Sequence, residues 1–130
     1  MKKIVFVCLG NICRSPMAEF VMKSLTDQLK IESRATSSWE HGNPIHRGTQ
    51  AIFKKYAISY DRNKTSQQIS AADFADFDYV IGMDESNVRD LKRMAPEDFQ
   101  HKIYQFEEEG VPDPWYTGDF DQTYDLVLAG

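Results

Sequence analysis

Apolar and polar positions alternate along this chain in a pattern that changes period several times. "KKIVFV" (2–7) ends in four consecutive apolar residues, the signature of a strand buried on both faces. From residue 16 to 29 the apolar positions Ala18, Val21, Met22, Leu25 and Leu29 recur at helical spacing, so a helix is predicted there. Ser15 is a good N-cap for it and Pro16 suits the first helical position. "IESRATS" (31–37) reads as a second, more polar strand, and "IHRGTQAIFKKY" (45–56) as a helix. "ISAADF" reads as a short helix, "DYVIGM" (78–83) as a strand, residues 85–94 as a helix and "KIYQF" (102–106) as a fourth strand. "EEEGVPDPWYTGD" is a loop punctuated by Gly110, Pro112, Pro114 and Gly118, and "FDQTYDLVLAG" begins a last helix. Strands alternating with helices predict an α/β fold: a four-stranded, mainly parallel sheet flanked by helices on both faces. In such sheets ligands bind beyond the carboxyl ends of the strands.

The 130 residues suit one domain, 1–130, with a real core. A net charge of −5 argues against nucleic acid or an anionic membrane as partner, so any phosphate is expected at a local site. The apolar stretch Ile4–Gly10 is too short, and too soon interrupted by Asn11 and Arg14, for a signal peptide; a cytoplasmic protein is expected. Two cysteines five residues apart form neither a disulfide framework nor a zinc site, and His41, His46 and His101 show no metal spacing. No metal or cofactor is expected, and the histidines are read as surface or loop residues.

"CLGNICRSP" (8–16) lies where the first strand ends and a helix begins. A loop in this place points backbone N–H groups into one concavity, to which the helix dipole adds positive potential. Leu9, Gly10, Asn11, Ile12 and Cys13 would form that cradle, and Gly10 and Asn11 tolerate the left-handed backbone a tight nest requires. Such a nest favours an anionic Cys8. Arg14 offers parallel N–H donors to a tetrahedral oxyanion, and the Ser15 hydroxyl is placed to stabilise the sulfur as a leaving group. Thiolate, cradle and arginine are the parts for phosphoryl transfer through a phosphocysteine. An isolated cysteine at a strand end is usually a small buried hydrophobe. An inert phosphate loop, however, has no need of one.

Phosphate ester cleavage also needs an acid, and "PDPWY" singles out Asp113, restrained by a proline on each side. Trp115 and Tyr116 beside it offer an aromatic wall for a phenyl ring.

With these residues in view, the chain resembles the low-molecular-weight protein tyrosine phosphatases over essentially its whole length. The matching segments are "VFVCLGNICRSPMAE", "SSWEHGNP", "FDYVIGMDESNVRDL" and "DPWY", in that order. The resemblance implies a four-stranded parallel sheet, no metal, and phosphotyrosine proteins or peptides as substrates. It implies Cys8 as nucleophile, Arg14 as phosphate clamp, Asp113 as general acid and then base, and Ser15 as helper to the thiolate. Asn11 would hold the loop in left-handed geometry with Ser33 as partner. Leu9, Trp39, Trp115 and Tyr116 would line the cleft, and Asp84 would support the site. Two departures stand out: Arg62 occupies the place of a common family histidine, and Arg34 that of a small residue. Family members also continue past "TYDLVLAG" for about two more helical turns of ~3.6 residues each.

Competing chemistries fit less well. Arsenate reduction needs more cysteines to relay a disulfide. The related protein-arginine phosphatases carry threonine where Ile12 stands, whereas Ile12 and Leu9 favour a phenyl ring. A phosphopeptide-binding module would need neither Cys8 nor Asp113, and a sugar phosphocarrier would need no acid. Cys13 is read as a redox partner able to trap oxidised Cys8 as a disulfide, with simple packing as the alternative.

Overall fold

The computed structural model describes residues 2–106, 119, 120, 122, 123 and 127. Its centre is a sheet of four parallel strands in the order β2-β1-β3-β4: β1 (Lys2–Cys8), β2 (Leu29–Ala35), β3 (Tyr79–Gly82) and β4 (Ile103–Gln105). The helices are α1 (Arg14–Leu25), α2 (Arg47–Lys55), α3 (Ala71–Asp76) and α4 (Glu85–Met94), and a 3-10 turn spans Glu97–Lys102. Residues 120, 122, 123 and 127 are helical.

The continuous apolar run of β1 places it second in the sheet, with both faces covered. Ile4, Phe6 and Cys8 face a core built with Met17, Phe20 and Val21 of α1 and Ile52 and Phe53 of α2. Val5 and Val7 face the other core, with Phe74 of α3, Phe77 and Leu91 of α4. Because side chains alternate along a strand, a cysteine at position 8 belongs to the α1 side and emerges where α1 begins.

Three local details differ from the sequence expectation. The helix predicted over 16–29 runs from Arg14 to Leu25; its N-cap is Cys13, and Ser15 lies inside the first turn. Thr26 is extended and Leu29 pairs with Lys2, so the last apolar residue of the helical pattern starts β2 instead. The 3-10 turn before β4 has no counterpart in the periodicity; none of its residues EDFQHK is fully buried, and Phe99 packs partly buried against the second core. By contrast, α4 has the predicted ends, because Asp84 caps it by accepting the Asn87 amide at 2.7 Å. Ser70 and Asp73 form a reciprocal capping box on α3.

Candidate active site

The segment between β1 and α1 has its carbonyls tied outward, one after another, to the surrounding scaffold. The Cys8 carbonyl accepts from the Thr36 amide at 2.9 Å. The Leu9 carbonyl accepts from both the amide (3.1 Å) and the hydroxyl (2.8 Å) of Ser37. The Gly10 carbonyl accepts from the Ser66 hydroxyl at 2.7 Å, and that of Ile12 from the His46 amide at 2.7 Å. The Cys13 carbonyl accepts from the Met17 amide at 3.1 Å and from Thr49 Oγ1 at 3.4 Å. Carbonyl and amide of one trans peptide point to opposite sides, so this harness turns the loop's N–H groups inward. The result is a concavity suited to an anion.

Cys8 Sγ stands at its base. The Asn11 amide donates to the sulfur at 3.2 Å, and Ser15 Oγ lies 3.1 Å from it. The N–H aimed at the sulfur is a donor suited to negative charge there. The Ser15 hydroxyl is therefore committed to this cluster, with the Arg34 carbonyl 3.3 Å away, and does not cap the helix.

Asn11 adopts φ 56°, the left-handed backbone expected of it, whereas Gly10 does not share that conformation. What glycine supplies at position 10 is room: a Cβ there would meet the Glu40 side chain at 3.3 Å. Asn11 is 1% exposed, and its side chain donates to Ser15 Oγ at 2.8 Å and accepts from the Gln67 amide at 3.2 Å. The expected partner Ser33 is instead turned to α1, where its hydroxyl donates to Glu19 Oε1 at 2.5 Å. The buried carboxylate outcompetes a neutral amide for that donor.

Arg14 closes the loop. Its Nη1 lies 2.5 Å from Asp84 Oδ2, and its side chain is 3% exposed. Asp84 thus caps α4 with one oxygen and orients the guanidinium with the other. Ile12 and Cys13 are buried beside it and Leu9 is half-buried, while Trp39 is 78% exposed on the neighbouring loop. The two cysteines are separate buried thiols. Asp113, Trp115 and Tyr116 lie outside the described residues, as does the EEE run.

Beneath the loop lies a layer of polar groups to which the sequence offered little clue. Lys64 Nζ donates to the Ser33 carbonyl at 3.0 Å and lies 3.4 Å from Glu19 Oε1; the other Glu19 oxygen holds Lys23 at 2.7 Å. Burial is the main influence on Lys64 and lowers its pKa from the ordinary 10.5; Glu19 acts in the opposite sense. Arg62, by contrast, is exposed, with its guanidinium 5.3 Å from the Tyr60 ring. Arg34 is buried and turned toward the other core. It reaches Glu32 at 3.3 Å and Asp73 at 3.4 Å and lies 6.0 Å from the Phe77 ring; only its carbonyl faces the site. His41 and His101 are exposed, but His46 is half-buried: it caps α2 through Nδ1 and stacks on Phe120 at 5.0 Å. Gly48 makes that stacking possible, because a Cβ there would run into the Phe120 ring.

Comparison with known proteins agrees with this geometry. The model of the low molecular weight phosphotyrosine protein phosphatase family matches residues 3–129, and the chain belongs to that family. It is 45% identical to the low molecular weight protein-tyrosine-phosphatase PtpA of Staphylococcus aureus, over 99% of this chain and 88% of that protein. The crystal structure of SP-PTP, a low molecular weight protein tyrosine phosphatase from Streptococcus pyogenes, superposes with a TM-score of 0.97 at 63% identity. That match covers 99% of this chain and 87% of the other. The Drosophila arginine phosphatase DARP superposes with a TM-score of 0.86 at 33% identity, covering 98% and 91%.

Proposed function

We propose that this protein hydrolyses phosphotyrosine in proteins or peptides, and aryl phosphate monoesters, through a phosphocysteine on Cys8. The observation that carries the reading is the convergence of the Asn11 amide and the Ser15 hydroxyl on one sulfur at the base of an anion cradle. The Cys8 thiolate attacks phosphorus; the S–P bond forms as the bond from phosphorus to the tyrosine oxygen breaks. Asp113 gives its proton to the departing oxygen. The same carboxylate then takes a proton from water, whose oxygen attacks phosphorus, and the S–P bond breaks to release phosphate and thiolate. Arg14, oriented by Asp84, holds the equatorial phosphate oxygens throughout. Leu9, Trp39, Trp115 and Tyr116 flank the aryl ring, and the amides of Gly10, Asn11, Ile12 and Cys13 bind its phosphate.

Among the described residues no helix is long and apolar enough to cross a membrane. A cytoplasmic site of action, with neither nucleic acid nor membrane as partner, goes with the net charge of −5.

The test is a panel of aryl phosphate and phosphotyrosine, phosphoserine and phosphoarginine peptides. A tyrosine ring spans the depth from rim to sulfur and a serine does not, so phosphotyrosine turns over at least about tenfold faster than phosphoserine. Equal rates overturn the assignment, and faster phosphoarginine turnover replaces it with the arginine reading, against the apolar Ile12. Asp113→Ala slows phosphotyrosine more than activated aryl phosphates; an equal loss makes Asp113 structural. With Cys8 as nucleophile, Cys13 rescues its oxidised form as a disulfide. Peroxide inactivation is then reversed by thiol in the native protein and not in Cys13→Ser; equal recovery reduces Cys13 to packing.

A further inference from the structure

We propose that Ser66 is a positioning residue for the reaction: its hydroxyl holds the Gly10–Asn11 peptide in the orientation that presents the Asn11 amide to the Cys8 sulfur. The inference rests on the reading of Cys8 as nucleophile. Ser66 Oγ is 2.7 Å from the Gly10 carbonyl oxygen, and the Asn11 nitrogen is 3.2 Å from Cys8 Sγ. These two atoms are opposite ends of one planar peptide, so the serine and the sulfur fix the same plate from its two sides.

The plate needs fixing because the local chain resists its rotation weakly. Turning this peptide by half a turn takes Asn11 from φ 56° to about −120°, a region ordinary residues prefer. Gly10, on the other side, has no Cβ to oppose the accompanying change in its own ψ. The turned peptide aims a carbonyl dipole at the sulfur in place of an N–H, and a site that attracts anions there then repels them. Against this stand Ser66 and the anchored Asn11 side chain. Ser66 is 1% exposed and held at both its backbone groups: its amide donates to the Asn43 carbonyl at 2.7 Å, and its carbonyl accepts from Gly42 at 3.0 Å. The next residue, Gln67, gives its amide to Asn11 Oδ1. In the turned state the buried Ser66 hydroxyl loses its acceptor, which opposes the flip. In the observed state its bond to the carbonyl polarises the peptide and strengthens the N–H at the far end as a donor.

The experiment follows the pH dependence of Cys8 alkylation by iodoacetamide, with fragment-ion mass spectrometry to separate Cys8 from Cys13. Alongside it run inhibition by inorganic phosphate and aryl phosphate turnover. In Ser66→Ala the alkylation midpoint rises by about one pH unit. Phosphate inhibition weakens several-fold and kcat/KM at neutral pH falls roughly tenfold. Ser66→Cys keeps the shape with a weaker donor, gives a smaller rise, and decides the matter should Ser66→Ala not fold. An unchanged midpoint in a folded variant overturns the proposal, even if its melting temperature or turnover has dropped. Native protein inactive on aryl phosphate removes the phosphatase reading, while the alkylation midpoint still reports on Ser66.

Discussion

The two ends of this sheet use the same ingredients to different effect. At the amino end, Lys3 Nζ meets Asp76 at 2.7 Å with side chains 33% and 50% exposed, and the Lys3 amide gives Asp78 a second bond at 2.8 Å. At the carboxyl end, Glu19, Ser33 and Ser66 are buried and the Lys64 side chain is 13% exposed, and their bonds reach strand or loop backbone close to Cys8. An ion pair in water trades one set of partners for another; a buried one holds its neighbours in place because no solvent can replace it. The first end ties down a strand edge, and the second sets the shape of a reactive loop. Position in the dielectric, rather than bond length, separates them.

The sharpest way to break this comparison is at the sulfur. Cys8→Ser should cut turnover by more than about a thousandfold, because a serine hydroxyl at neutral pH is a far weaker nucleophile than a thiolate. Phosphate should still bind, since the amides and Arg14 remain, and titration with inorganic phosphate checks this. Loss of phosphate binding along with turnover would mean that the sulfur shapes the loop and does not merely react from it.

What the sequence disclosed follows the same division. The strand run before Cys8, the bounds of the helix over 85–94, and the spacing from Cys8 to Arg14 are local patterns, and local patterns are legible in one chain. The support beneath the loop was not legible. "KTSQQ" (64–68) has no periodicity and reads as ordinary polar loop; its meaning comes from lying across residues 56 positions earlier in the chain. Glu19 carries no sign of burial in the sequence, yet it is 3% exposed. Ser15 misled in the opposite direction: serine before proline is a good cap, but here the sulfur and the Asn11 amide compete for its hydroxyl and win. A buried serine or a half-buried lysine in a loop-like stretch carries no sequence mark of its surroundings.

Lys64 sharpens the comparison at the next level of effect. Lys64→Met should cost about 1–3 kcal/mol, less than the ~3–5 kcal/mol of a fully isolated buried charge, because Glu19 keeps Lys23 and Ser33. The sign with pH is distinctive. Burial lowers the folded-state pKa of Lys64 below 10.5, so between that lowered value and 10.5 the unfolded chain binds more protons than the folded one. The native protein therefore gains stability relative to Lys64→Met as pH rises through that window. Denaturant melts at neutral pH and near pH 10 test it. A gap that narrows toward alkaline pH would mean that the pull of Glu19 exceeds the effect of burial.

The smallest effect is expected at the amino end. The Lys3–Asp76 bond holds the Asp76 carboxyl below the usual carboxylate range and the Lys3 ammonium above 10.5. Whatever the pair contributes is thus present between those limits. It is lost as pH falls through the lowered Asp76 value or rises through the raised Lys3 value. Water and salt screen both groups, so little remains to lose. Lys3→Met leaves the bonds between the Lys3 backbone and Asp78 intact, and with them the pairing of β1 and β3. At neutral pH and physiological salt its melting temperature should be indistinguishable from that of the native protein, with any difference appearing only at low salt. Turnover should be unchanged, because the pair lies at the opposite end of β1 from Cys8. A loss in Lys3→Met matching that of Lys64→Met, and insensitive to salt, would show that the exposed pair holds its end of the sheet as firmly as the buried cluster holds the other. Burial would then not be what distinguishes them.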